Sequence, residues 1–253
     1  MAKSIPTKKP KYMLATDLDG TLIGSRKALA SFNRQMIKYL NDFLLVYITG
    51  RMYASARQII IKENLIHPDV LVTDVGTEIY TSPGFRPDRA WEKIMASTWD
   101  AAETKKIIED VEGMQPQGIQ PMFRLAYHAE KINFKNIVSK LCLKVEMAQL
   151  PVKIVPSMGQ IIDVIPGTAG KGPALRHIQQ LYSIKRESTV ACGDSGNDLS
   201  MFFEGCKGII VGNAQPELKD ALKSGLQEVY LARSHYASGI LEGLKKYGMV
   251  RRF

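Results

Sequence analysis

The sequence predicts an α/β fold: a parallel β-sheet core flanked by helices, with a smaller α+β domain inserted into it. Three observations predict this. Continuous apolar runs alternate with helical periodicity at both ends of the chain, and such runs mark parallel strands covered on both faces. The middle of the chain instead carries strands that alternate apolar and polar residues, and a hairpin, so one strand face there meets water. The residues that carry chemistry each follow an apolar run, and the carboxyl ends of strands form the ligand crevice of an open α/β sheet.

Taken in order, Tyr12-Met13-Leu14-Ala15 reads as a buried strand bounded by turn residues. Leu29, Phe32, Met36, Ile37 and Leu40 recur at helical spacing. Phe43 to Ile48 is a second strand, ending at Thr49-Gly50-Arg51, and a helix follows from about Ala54 to Asn64. His67-Pro68-Asp69 breaks that helix, and Val70 to Thr73 is a third strand. The pattern changes near Ser82-Pro83-Gly84. Trp91 to Glu112 reads as mostly helix, with Trp91 and Trp99 in the core of the inserted domain. Phe123 to His128 alternates as a half-buried strand, and Asn133 to Leu143 is helical. Val152 to Val155 and Gln160 to Val164 flank a turn, which predicts a hairpin. The α/β pattern resumes with a helix at Lys171, a strand from Ser188 to Cys192 and a strand from Gly208 to Val211. The division expected is residues 1–82 and 166–253 for the core and 83–165 for the insertion.

The chain has 253 residues, 45% hydrophobic and 23% charged, which is ordinary globular composition. Its net charge of +9 suits an anionic substrate. The basic residues are scattered apart from Lys8-Lys9-Pro10-Lys11 and Arg251-Arg252, which read as solvated tails, and no nucleic-acid-binding motif is present. Three cysteines without a CxxC pair argue for a reducing compartment. No run approaches the ~18 apolar residues of a membrane span. With no signal-peptide pattern, the expected location is cytoplasmic. His67 and His177 read as surface residues, and Cys192 as a small core residue.

The densest signal is Asp17-Leu18-Asp19-Gly20-Thr21. Residues two apart on an extended segment point to one side. Two carboxylates facing one point are costly unless a cation or a proton separates them. Thr49, Lys171, Asp194 and Asp198 occupy similar strand-end or helix-start positions. Several acids without a His or Cys ligand set favour Mg²⁺ over zinc. Asp, Lys and a metal around a phosphate amount to a phosphoryl-transfer site. Gly167 to Gly172 superficially matches a nucleotide-binding P-loop, but the spacing fails and Gly172 replaces the hydroxyl residue.

DLDGT at Asp17–Thr21, Thr49 in ITGR, Lys171 before a helix and GDSGND at Gly193–Asp198 resemble, in order, the four motifs of the haloacid dehalogenase superfamily. The resemblance implies a Rossmann-like core with an inserted cap of the C2 type. It implies that Asp17 is the nucleophile, Asp19 the general acid and base, and that Thr49 and Lys171 hold the transferring phosphoryl group. Asp17, Asp19, Asp194 and Asp198 would serve Mg²⁺, with Asp198 acting through water or Lys171. Over nearly the whole chain, YITGRMYASAR, VGTEIY, AYH, DVIPGTAGKG and VGNAQPEL resemble the sucrose-phosphate phosphatases and their bacterial relatives. One departure is Gly20, where the sucrose-phosphate enzymes tend to carry Asn. The implied reaction is hydrolysis of a phosphorylated disaccharide or glycoside, sucrose 6-phosphate first. Mannosylfructose phosphate, glucosylglycerol phosphate or a phosphomannomutase-like mutase reaction are the alternatives. Gly50, Arg51, Glu78, Tyr127, Asp163, Asn197 and Asn213 are the expected substrate contacts. A small sugar phosphate is the expected partner, with a sugar-phosphate glycosyltransferase as the expected protein partner and no nucleic acid or membrane.

Overall fold

A computed structural model describes residues 10–222, 225 and 228–251. Lys8, Lys9 and Arg252, the read-out tails, lie outside the described residues. The chain runs β1 (Tyr12–Thr16), α1 (Arg26–Met36), β2 (Phe43–Ile48), α2 (Tyr53–Lys62), β3 (Val70–Thr73), β4 (Glu78–Thr81) and β5 (Arg86–Pro87). It continues through α3 (Arg89–Ala96), α4 (Ala101–Ile108), β6 (Met114–Pro116), β7 (Leu125–Ala129), α5 (Phe134–Met147), β8 (Val152–Ser157) and β9 (Ile161–Pro166). It closes with α6 (Lys171–Leu181), β10 (Thr189–Gly193), α7 (Leu199–Phe202), β11 (Lys207–Ile210), α8 (Pro216–Ala221), β12 (Val229–Leu231) and α9 (Tyr236–Lys246).

The large sheet has the order β12-β11-β10-β1-β2-β3-β4-β5. It is parallel from β12 to β3, and β4 and β5 add an antiparallel edge. Successive residues of a strand face opposite sides, and β1 shows the consequence. Leu14 joins a cluster with Phe32 of α1, Tyr47 and Ile240 of α9. Met13 and Ala15 join the opposite cluster with Leu175 and Ile178 of α6. Both faces are therefore sealed, and each fully buried leucine or isoleucine contributes roughly 1.5–3 kcal/mol. β1 has β10 on one side and β2 on the other, so strand order reverses there and opens a crevice at its carboxyl end.

The second sheet, β6-β7-β9-β8, is antiparallel. Its core joins Leu125, Tyr127, Ile162 and Val164 to Ile137 and Leu141 of α5 and Ile108 of α4. The β8–β9 hairpin turns at Met158 and Gly159, both with positive φ (54° and 64°), as a tight hairpin requires.

Three details differ from expectation. The helix read over Trp91–Glu112 is two helices, because Asp88 and Asp100 each accept first-turn amides and start a new one. Trp91 packs on the large sheet's cluster, not in the insertion, and its indole N–H donates to Gly76 O at 3.2 Å. β5 pairs with β4 at the edge of the large sheet, and Met95 of α3 joins Trp91 in that sheet's cluster. His67 and His177 are half-buried rather than on the surface: His67 stacks on Phe85, and His177 pairs with Asp88 at 2.9 Å beside Trp91. Cys192 is fully buried, and no helix among the described residues is long and apolar enough to cross a membrane.

Candidate active site

The ends of β1, β2 and β10 and the start of α6 bring the expected motifs together. Asp17 follows β1, with its backbone N–H held by Cys192 O at 3.0 Å. Lys171, the first residue of α6, is fully buried and lies between two acids: Nζ donates to Asp17 Oδ1 at 2.7 Å and to Asp198 Oδ1 at 2.6 Å. Asp198 Oδ2 accepts the backbone N–H groups of Asp194 and Ser195 at 2.9 and 3.0 Å. Asp194 Oδ1 accepts the Thr21 hydroxyl at 2.8 Å. Thr21 was legible only as part of its motif; its partner is 173 positions away.

Electrostatics follow from burial. Burial drives the Asp17 carboxyl well above the usual range, with Lys171 opposing and Asp198 and Asp194 adding to the rise. Burial, reinforced by Asp198, pushes Asp194 up to about 6. Burial pulls the Lys171 ammonium down, but Asp17 and Asp198 outweigh it and hold the charge in place. Two acids pressed toward their neutral forms at one point are what a cation would relieve.

The donor set fits a hard cation. Oxygens of Asp17, Asp194 and Asp198 lie within 4.8 Å of one another. Both Asp198 oxygens are already engaged, whereas Asp17 and Asp194 each keep an oxygen outside the hydrogen bonds described. A Cβ on Gly20 would come within 2.4 Å of Asp194 Oδ2, and Gly20 has φ +83°, so glycine lets that carboxylate close over the loop. Asn213 ties the same loop down, donating to Gly20 O and accepting from Tyr236 N, both at 2.7 Å.

Asp19 is half exposed and gripped in a fork by Arg51, through Nε at 2.6 Å and Nη2 at 2.7 Å. Arg51 N–H donates to Thr49 Oγ1 at 3.2 Å. A cavity of about 590 Å³ reaches Lys171 between the two sheets, bordered by Phe134, Lys153, Ser157, Asn197, Phe203 and Glu217 among others.

Of the expected substrate contacts, Asn197 borders this cavity. Gly50 and Arg51 adjoin Thr49. The others face elsewhere. Glu78 accepts from Thr73 and Tyr80 and borders a separate cavity of about 240 Å³. Tyr127 packs in the small domain's core. Asp163 is 3% exposed and pairs with Arg124 at 3.2 Å. Asn213 serves the Gly20 loop. Lys153, Phe134 and Phe203 of the cavity wall were missed, since nothing local in the sequence marks a wall built from segments around two sheets.

A sheet reversed at β1, with acids after β1 and β10 and a lysine starting α6, defines a haloacid dehalogenase fold. The chain superposes on a haloacid dehalogenase-like hydrolase from Bacillus subtilis with TM-score 0.68 at 21% identity, covering 94% of this chain and 92% of that one. It matches the sucrose-phosphatase from Synechocystis sp. PCC6803, solved with sucrose and phosphate, with TM-score 0.87 and 30% identity over 94% of this chain and 98% of that one. The family model of sucrose-6F-phosphate phosphohydrolase covers residues 10–248, and the chain belongs to that family. Probable sucrose-phosphatase 1 of Arabidopsis thaliana is 34% identical over 84% of this chain. The chain spans about half of that plant protein's length, 53%.

Proposed function

We propose that this chain hydrolyses a phosphorylated disaccharide, sucrose 6-phosphate first, through an aspartyl-phosphate on Asp17 with Mg²⁺ as cofactor. The observation that carries the reading is Lys171, fixed between Asp17 and Asp198 at the floor of the cavity between the two domains. Family membership and the sucrose held by the Synechocystis relative support the sugar.

In this reading Asp17 attacks phosphorus through its carboxylate oxygen, and the bond to the sugar oxygen breaks. Lys171 offsets the charge of that approach, and the Thr49 hydroxyl and the Gly50 N–H take phosphoryl oxygens. Protonated Asp19 gives its proton to the departing sugar oxygen. Asp19 then removes a proton from water, which attacks the acyl phosphate and frees Asp17 and inorganic phosphate. Both Asp19 oxygens accept from Arg51, so Arg51 must turn to the substrate before Asp19 can reach the leaving oxygen. Asp17, Asp194 and the Asp19 carbonyl would hold Mg²⁺, which supplies charge neutralisation at the phosphate. The sugar lies in the cavity, its apolar face against Phe134 and Phe203 and its hydroxyls within reach of Lys153, Asn197 and Glu217.

The test is phosphate release from sucrose 6-phosphate, mannosylfructose phosphate, glucosylglycerol phosphate and hexose monophosphates, with Mg²⁺ and with EDTA. A Mg²⁺-dependent preference for sucrose 6-phosphate is expected. Preference for another sugar would replace the substrate, and absence of release with Mg²⁺ would sink the hydrolase reading.

A further inference from the structure

Three successive carbonyls of the Thr49–Gly50–Arg51 loop are each held from outside the loop. Val75 N–H donates to Thr49 O at 3.2 Å, and Asp74 N–H donates to Arg51 O at 2.9 Å. Both come from one turn whose residues Asp74, Val75 and Gly76 all have positive φ (51°, 59° and 96°). The middle carbonyl, Gly50 O, takes no bond from that turn. Arg124 Nη1 reaches it at 3.1 Å from the segment leading into β7 of the small domain.

The peptide plane joining Gly50 and Arg51 thus has both ends engaged. Its C=O accepts from Arg124, and its N–H donates to the Thr49 hydroxyl oxygen at 3.2 Å. A trans peptide is rigid, so the angle set at one end fixes the other. Arg124 is itself fixed: Nη2 pairs with Asp74 at 2.9 Å and Nη1 with Asp163 at 3.2 Å, with all three side chains less than a tenth exposed. Asp163 sits on β9 opposite Ala126 of β7, so the fork is anchored in the small domain's own sheet.

We infer that Arg124 is a positioning residue: through the Gly50–Arg51 peptide it aims the Thr49 hydroxyl at the phosphate, and ties that aim to the small domain's position. This rests on the phosphoryl-transfer reading of the loop, not on the identity of the sugar. Lysine cannot replace the fork, because a single ammonium cannot hold Gly50 O, Asp74 and Asp163 in fixed directions.

The experiment measures inorganic phosphate binding by calorimetry with Mg²⁺, alongside hydrolysis of a small aryl phosphate, in the wild type, Arg124→Lys and Asp163→Asn. Melting temperatures establish that each variant is folded. Arg124→Lys should bind phosphate about tenfold more weakly, as loss of one charge-assisted hydrogen bond implies, with kcat on the aryl ester falling in parallel. Asp163→Asn, which loosens the fork without removing it, should show a smaller loss in the same direction. Should Arg124→Lys not fold, Asp163→Asn alone decides. Unchanged phosphate affinity in a folded variant overturns the inference. A wild type that binds phosphate but does not turn over would instead indict the hydrolase reading, leaving the binding comparison to decide this one.

Discussion

Two buried clusters in this molecule have the same composition, one cation between two aspartates, and behave in opposite ways. Lys171 between Asp17 and Asp198 borders a cavity, and Asp17 keeps one oxygen outside the hydrogen bonds described. Arg124 between Asp74 and Asp163 is closed in, its third contact being the Gly50 carbonyl. Lysine is a compact point charge that can follow a charge moving onto a phosphate; arginine is a planar fork that locks directions. In the proposed reading the first cluster performs chemistry and the second holds geometry. A buried ion triad alone is therefore no sign of a catalytic centre; access to a cavity separates the two.

The largest effect expected is on the first cluster. Asp17→Asn should reduce phosphate release to background with the fold intact by circular dichroism, and retained turnover would remove Asp17 as nucleophile. Lys171→Met comes next. It leaves Asp17 and Asp198 facing each other without a counter-charge, and breaking such a pair costs about 3–5 kcal/mol. It should lower kcat by orders of magnitude and lower the melting temperature as well. Preserved stability there would blur the distinction between the clusters.

Gly20→Asn should act more gently. Asn tolerates positive φ, but its Cβ would meet Asp194 Oδ2 at 2.4 Å and force that carboxylate aside. A several-fold rise in the Mg²⁺ concentration needed for half activity is expected, and an unchanged value would mean Asp194 has room to move.

The smallest effects belong to the second cluster and concern stability. Burial raises Asp74 to about 7 and Asp163 to about 6, with Arg124 opposing both. The folded state therefore keeps protons that the unfolded chain releases from about pH 4 upward. The unfolded state binds fewer protons in that window, so stability falls as pH rises toward 7. Asp74→Asn should flatten the fall in melting temperature between pH 5 and 7.5. An unaltered slope would show that these carboxyls titrate normally.

Asp163 separates the two clusters' roles most directly. Read from the sequence it was a sugar contact; in the structure its carboxylate faces Arg124. Asp163→Asn should thus affect a sugar phosphate and an aryl phosphate equally, and a loss confined to the sugar ester would return it to the sugar site.

The sequence by itself determined the sheet-and-helix alternation, the strand-end placement of Asp17, Asp19, Thr49 and Asp194, and Lys171 at a helix start. Each of these is local: a period, a turn or a motif read within a few residues. It also carried enough likeness to show the family. Only the tertiary structure decided that Glu78, Tyr127 and Asn213 face other partners, that Trp91 belongs to the large sheet, and that Arg124 reaches Gly50 across 74 positions. A side chain's orientation depends on which distant segment covers it. Ion pairs such as Arg124 with Asp74 form between segments that meet only once the chain around the two sheets packs, and no local pattern encodes that meeting.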